Sequence, residues 1–74
     1  MNAKRSFTLA GHRTSVALES EFWDALEQIA ALRGISIAAL VAAIDQQRTE
    51  GNLASACRIE ALHYYRDRPR EPGI

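Results

Sequence analysis

The sequence predicts a mostly α-helical chain with one β-strand near its start, a strand that pairs with its own copy in a homodimer. Three observations carry this. Apolar residues recur at helical spacing in three blocks: Phe22, Leu26, Ile29 and Ala30; then Ile37, Leu40, Val41 and Ile44; then Leu53, Cys57, Ala61 and Tyr64. Only Ser6 to Leu18 alternates in the manner of a strand, rich in Thr, Val and Phe and interrupted by Gly11. Finally, 74 residues with one cysteine can form neither an internal disulfide nor a Cys-rich zinc site. A core of this size covers only about 60% of the unfolded surface, so the missing burial comes from self-association.

Residues 1–11 read as a basic arm or strand extension, 12–66 as the folded domain and 67–74 as an Arg- and Pro-rich tail. Within the strand Thr14, Val16 and Leu18 share one face, and Arg13, Ser15 and Ala17 share the other. Phe7 to Leu9 either extends this strand or folds back at Gly11 as a hairpin, and the residue types leave both open. A lone strand has unpaired backbone donors and acceptors, so it requires a second strand. Two copies related by a two-fold axis pair antiparallel and bury Thr14, Val16 and Leu18, with Phe22, Leu40 and Ile44 completing the dimer core. The opposite face then presents Arg13, Ser15 and Ala17 twice, on a ribbon whose width suits a DNA major groove.

The first helix runs from Glu21 to Arg33 and ends at Gly34, where a left-handed cap belongs. Phe22 is assigned to the core, and its neighbour Trp23 to a cover over the dimer or the third helix. Ser36 caps the second helix, which reaches about Arg48. Thr49 to Asn52 breaks the chain, with Asn52 or Thr49 as the next cap. The third helix spans Leu53 to Tyr65 before Pro69 and Pro72 prevent its continuation. Ile59 and Leu62 lie opposite its main apolar stripe, so a partner chain covers that second side. The sequence reads as free of internal repeats and low-complexity segments.

A formal net charge of zero conceals an asymmetry. Residues 1–18 carry Lys4, Arg5 and Arg13 without an acid, while residues 19–50 carry six acids against Arg33 and Arg48. No apolar stretch is long enough for a membrane span or signal peptide, which predicts a cytoplasmic protein. Glycine-rich phosphate loops, nucleophile–base pairs and paired carboxylates are missing, so neither catalysis nor a cofactor is expected. Cys57 and His63, six apart on one helix, point in different directions and do not make a metal site.

Arg13-Thr14-Ser15-Val16-Ala17-Leu18, the helix start at Glu19-Ser20-Glu21, the turn Gly34-Ile35-Ser36 and the alanine-rich second helix resemble the ribbon-helix-helix family of the MetJ/Arc superfamily. The likeness covers about residues 12–48. Gly11-His12-Arg13-Thr14-Ser15 and Gly51-Asn52-Leu53-Ala54-Ser55-Ala56 further resemble a bacterial subgroup of small members of that family. The resemblance implies a homodimeric transcriptional regulator that reads double-stranded DNA with its ribbon. Arg13 then reads guanine with two hydrogen bonds, Ser15 donates or accepts in the groove, and Ala17 offers a methyl to thymine. Ala17 departs from the polar residue common at that place. Phosphates are met by the amides of Ile37 and Ala38 beyond the Ser36 cap, by Lys4 and Arg5 from the arm, and by His12. The alternative is a dimeric protein-interaction module, antitoxin-like or adaptor, with weak or no DNA binding; zero net charge and the small Ser15 and Ala17 favour it.

Overall fold

The computed structural model describes residues 2–49 and 51–67. The chain contributes two strands, β1 (Asn2–Leu9) and β2 (His12–Glu19), followed by α1 (Ser20–Arg33), α2 (Ile37–Gln47) and α3 (Leu53–Asp67). The tail arginines Arg68 and Arg70 lie outside the described residues.

Of the two courses open to Phe7–Leu9, the chain takes the hairpin. β1 pairs antiparallel with β2 in a two-stranded sheet, from Leu9↔His12 at the turn to Asn2↔Glu19 at the open end. Ala10 and Gly11 form the turn with φ of 51° and 82°. Positive φ at both central residues is the mark of a type I′ turn, whose twist matches the flanking strands. The chain thus has two strands where one was expected, and residues 2–9 of the expected arm or strand extension form β1. β2 pairs with β1 along its whole length within the same chain.

Directly opposed residues of an antiparallel pair point to the same side of the sheet. The inner side therefore takes Phe7 and Leu9 from β1 and Val16 and Leu18 from β2, all buried, while Thr14 is half-buried near the turn end. Beneath them lie Leu26 and Ile29 of α1, Leu40, Val41 and Ile44 of α2, and Leu53 and Cys57 of α3. Trp23 and Phe22 exchange their expected places. Trp23 is 1% exposed, packs its ring 6.0 Å from that of Phe7 and donates from Nε1 to the Ala3 carbonyl at 2.7 Å, whereas Phe22 sits half-buried at the edge of the core.

The helix ends follow from local chemistry. Gly34 adopts the left-handed conformation (φ 70°), and the N–H groups of Gly34 and Ile35 donate to the carbonyls of Ala31 and Ala30 at 3.1 and 3.0 Å. Ser36 Oγ accepts from the Ala39 N–H at 3.0 Å, and Asn52 Oδ1 accepts from the Ser55 N–H at 2.8 Å. Between α2 and α3, Arg48 bonds Asp45 and the Gly51 carbonyl, at 2.7 and 2.9 Å, which fixes the link that aims α3 back across α1. No single helix among the described residues is long and apolar enough to cross a membrane.

Candidate nucleic-acid interface

The outer side of the hairpin is the polar half of both alternations. It carries Lys4, Ser6 and Thr8 from β1 beside Arg13, Ser15 and Ala17 from β2, all exposed. Ser6 and Ser15 stand opposite each other with their hydroxyl oxygens 3.0 Å apart. Thr8 faces Arg13 and Lys4 faces Ala17, so the two cations sit on different strands, at opposite ends of the surface. Four residues at about 3.4 Å each put roughly 14 Å between those two rows.

Electrostatics depends on which acids are already engaged. Glu19 is the only acid on either strand. Arg58 of α3 grips its two carboxylate oxygens at 3.0 and 3.2 Å. The bidentate guanidinium holds the Glu19 carboxyl below the ordinary carboxylate value of 4.5. Glu27 is bound by Arg5 at 2.9 Å. Lys4 and Arg13 have no acidic partner among the described residues. The positive field at the front of the sequence thus survives folding on the outer face.

Arg5 is placed differently from its sequence neighbour. It lies on the inner side of β1, at the edge, with its guanidinium 4.7 Å above the Trp23 ring and paired to Glu27. Where a flexible arm was expected, a strand carries Arg5, and Glu27 matches its charge on the helical side. Sequence reasoning missed this clip of Trp23, Arg5 and Glu27 against β1. Its signal is the register alone, which puts Arg5 on the same side as Phe7.

The other expected residues lie off the outer face. His12 is exposed beside the turn, in the row of Leu9. Ser36, Ile37 and Ala38 form the start of α2, where the Ser36 hydroxyl serves the Ala39 N–H and leaves the Ile37 and Ala38 amides in the first turn outside that bond. Val16, Leu18, Leu40 and Ile44 are core residues of the single chain. Cys57 is fully buried, and burial pushes its thiol up to about 11.

A second surface has the opposite chemistry. Phe22 and Ala25 of α1 with Arg58, Ile59, Leu62 and Tyr65 of α3 line an open groove of about 400 Å³. Ile59 and Leu62 are 51% and 58% exposed, the side of the third helix that its own domain leaves uncovered.

A family model described as a ribbon-helix-helix domain matches residues 2–65, nearly every residue of the two strands and three helices. Comparison with curated proteins and with solved structures finds no match.

Proposed function

The chain belongs to the ribbon-helix-helix family, whose members are generally DNA-binding transcription regulators, and on that premise we propose that it binds DNA sequence-specifically as a small regulator. The outer face of the β1–β2 hairpin enters the major groove. The observation that carries this is the unmatched charge of Lys4 and Arg13 on a face of small, mostly polar side chains, while Glu19 and Glu27 are taken by Arg58 and Arg5. Such a face is costless in water and complementary to base edges flanked by phosphates. Arg13 makes the two-bonded contact to guanine, worth roughly 1–3 kcal/mol of discrimination; Ser15 and Ala17 read hydroxyl- and methyl-compatible edges. The first amides of α2 and the His12 ring meet phosphates where the duplex backbone rises past the hairpin.

Family members typically form dimers, and the α1–α3 groove supplies a surface for it. A second copy of this chain covers Ile59 and Leu62, since burying apolar area gains about 25 cal/mol per Å² and the small core has little other reserve. The same groove also favours a second reading, in which it holds a different protein and the hairpin has little affinity for DNA.

Selection from random duplexes with the purified protein, followed by mobility-shift titration at two salt concentrations, separates these readings. Arg13→Ala weakens the selected site roughly 5- to 150-fold and random duplex far less, because non-specific binding follows total phosphate contact. An equal loss on both duplexes makes Arg13 a phosphate contact only. No enrichment of any sequence leaves the protein-interaction reading.

A further inference from the structure

The two strands carry the same message. Lys4-Arg5-Ser6-Phe7-Thr8-Leu9 and Arg13-Thr14-Ser15-Val16-Ala17-Leu18 share the order basic, variable, Ser, apolar, small or hydroxyl, Leu, at an offset of nine residues. The repeat is hard to see along the chain because it is six residues long and only its Ser and Leu positions are identical. The register converts it into geometry. With Ser6 opposite Ser15, Lys4 faces Ala17 and Thr8 faces Arg13. A two-fold axis through the Ser6–Ser15 pair therefore carries Lys4 onto Arg13 and Thr8 onto Ala17. On the inner side it carries Phe7 onto Val16 and Leu9 onto Leu18, and all four are buried.

That is the arrangement expected of two copies of β2 paired across a dimer axis, with β1 in the place of the second copy. We propose that one chain holds a complete, pseudo-symmetric reading ribbon, in which Lys4 is a second base-reading residue and the site read by each chain is a short asymmetric element with unlike ends. What the ribbon touches rests on the DNA-binding reading; its completeness within one chain rests only on the hairpin.

The two ends read differently for a chemical reason. Arg13 presents a planar fork that matches O6 and N7 of guanine, whereas Lys4 presents a compact ammonium with no fixed fork, so discrimination is sharper at the Arg13 end. Thr8 and Ala17, exchanged by the axis, add a hydroxyl at one row and a bare methyl at the other. The rows are roughly 14 Å apart, which is about four base pairs at ~3.4 Å per step. A ribbon made by two identical chains has no such polarity, because it presents Arg13 at both ends.

Two experiments test this, one of them without DNA. In the full-length protein, Ser15→Cys is oxidised and run on a denaturing, non-reducing gel beside the double variant Ser6→Cys with Ser15→Cys. The hydroxyl oxygens stand 3.0 Å apart across the pair, so the double variant closes a disulfide inside one chain, and Ser15→Cys alone stays a single chain. A covalent dimer of Ser15→Cys puts two copies of β2 side by side and overturns the proposal. Sequence selection is then repeated with Arg13→Ala and with Lys4→Ala. Arg13→Ala removes preference at one end of the selected site by roughly 5- to 150-fold, and Lys4→Ala removes a smaller preference at the other. Symmetrical loss at both ends with Arg13→Ala, and none with Lys4→Ala, overturns the proposal. If the unaltered protein selects no sequence, the DNA-binding reading fails along with the role of Lys4, while the gel still decides whether the ribbon is whole within one chain.

Discussion

The hairpin exposes Lys4, Ser6, Thr8, Arg13, Ser15 and Ala17, all polar or small, while the α1–α3 groove exposes Ile59 and Leu62 beside Phe22. Both surfaces belong to elements whose other side is packed in the same core. In a strand the period of two gives each side chain to one face or the other, so the outer face could become uniformly polar once the inner one was apolar. In α3 the 3.6-residue period leaves room for a second stripe, and Ile59 and Leu62 use it. Each surface therefore suits a different partner: a cationic, polar face attracts a polyanion, whereas an apolar groove gains most from another apolar surface.

The largest effect is expected where a charge is moved from the outer to the inner face of β2. Val16 is 3% exposed and Ala17 is its exposed neighbour. Val16→Asp buries an unpaired carboxylate beneath the sheet and prevents folding, a loss of more than about 4 kcal/mol, whereas Ala17→Ser changes stability by less than about 0.5 kcal/mol. Thermal unfolding by circular dichroism compares them, and similar melting temperatures would invert the face assignment.

Cys57 tests the core shared by the two surfaces. Burial, helped by the Glu60 charge, raises its pKa from 9.0 to about 11, so the folded state favours the neutral thiol. This contribution is fully present below pH 9, then falls as the unfolded chain ionises and is spent near pH 11, a loss of about 2 kcal/mol. Urea titrations at pH 7, 9 and 10.5 give the slope. Cys57→Ala flattens it, although that variant is less stable at every pH.

The turn at Ala10 and Gly11 holds β1 and its half of the outer face in register. Gly11→Ala meets no atom within 4 Å but must adopt φ of +82°, at a cost of about 1–2 kcal/mol. Ala10 already bears a similar strain at φ 51°, so Ala10→Asn stabilises by about 0.5–1 kcal/mol. Melting temperatures that move the opposite way would mean that the turn is not the type I′ form.

The groove gives the smallest effect on the fold of one chain. Ile59→Glu with Leu62→Glu alters exposed positions and leaves intrachain stability within about 0.5 kcal/mol. Sedimentation then shows a shift from dimer to monomer, with Arg13→Ala as the control that does not shift. An unchanged dimer moves the self-association surface elsewhere.

Much of this architecture was legible in advance because its determinants are local. Gly34, Ser36 and Asn52 act on backbone groups within a few residues, so the helix limits could be read to within a turn. The second apolar side of α3 was equally plain from spacing, as was the division of β2 into an apolar and a polar face. The hairpin was not, because Ala10-Gly11 is a weaker turn signal than Asn-Gly and the alternation in residues 6–18 fits one bent strand as well as two.

Tertiary structure decided the rest. Phe22 and Trp23 are adjacent on one helix, about 100° apart, and only the angle at which α1 meets β1 determines which ring enters the core. Lys4 and Arg5 are adjacent on one strand, and only the register sends Lys4 outward and Arg5 onto Trp23 and Glu27. The sequence determined on its own the elements, their caps and the polarity of each face, since periodicity and short-range hydrogen bonds act along the chain. Which segment pairs with β2 depends on backbone hydrogen bonds between stretches nine residues apart, and that pairing is fixed only where the hairpin closes over its core.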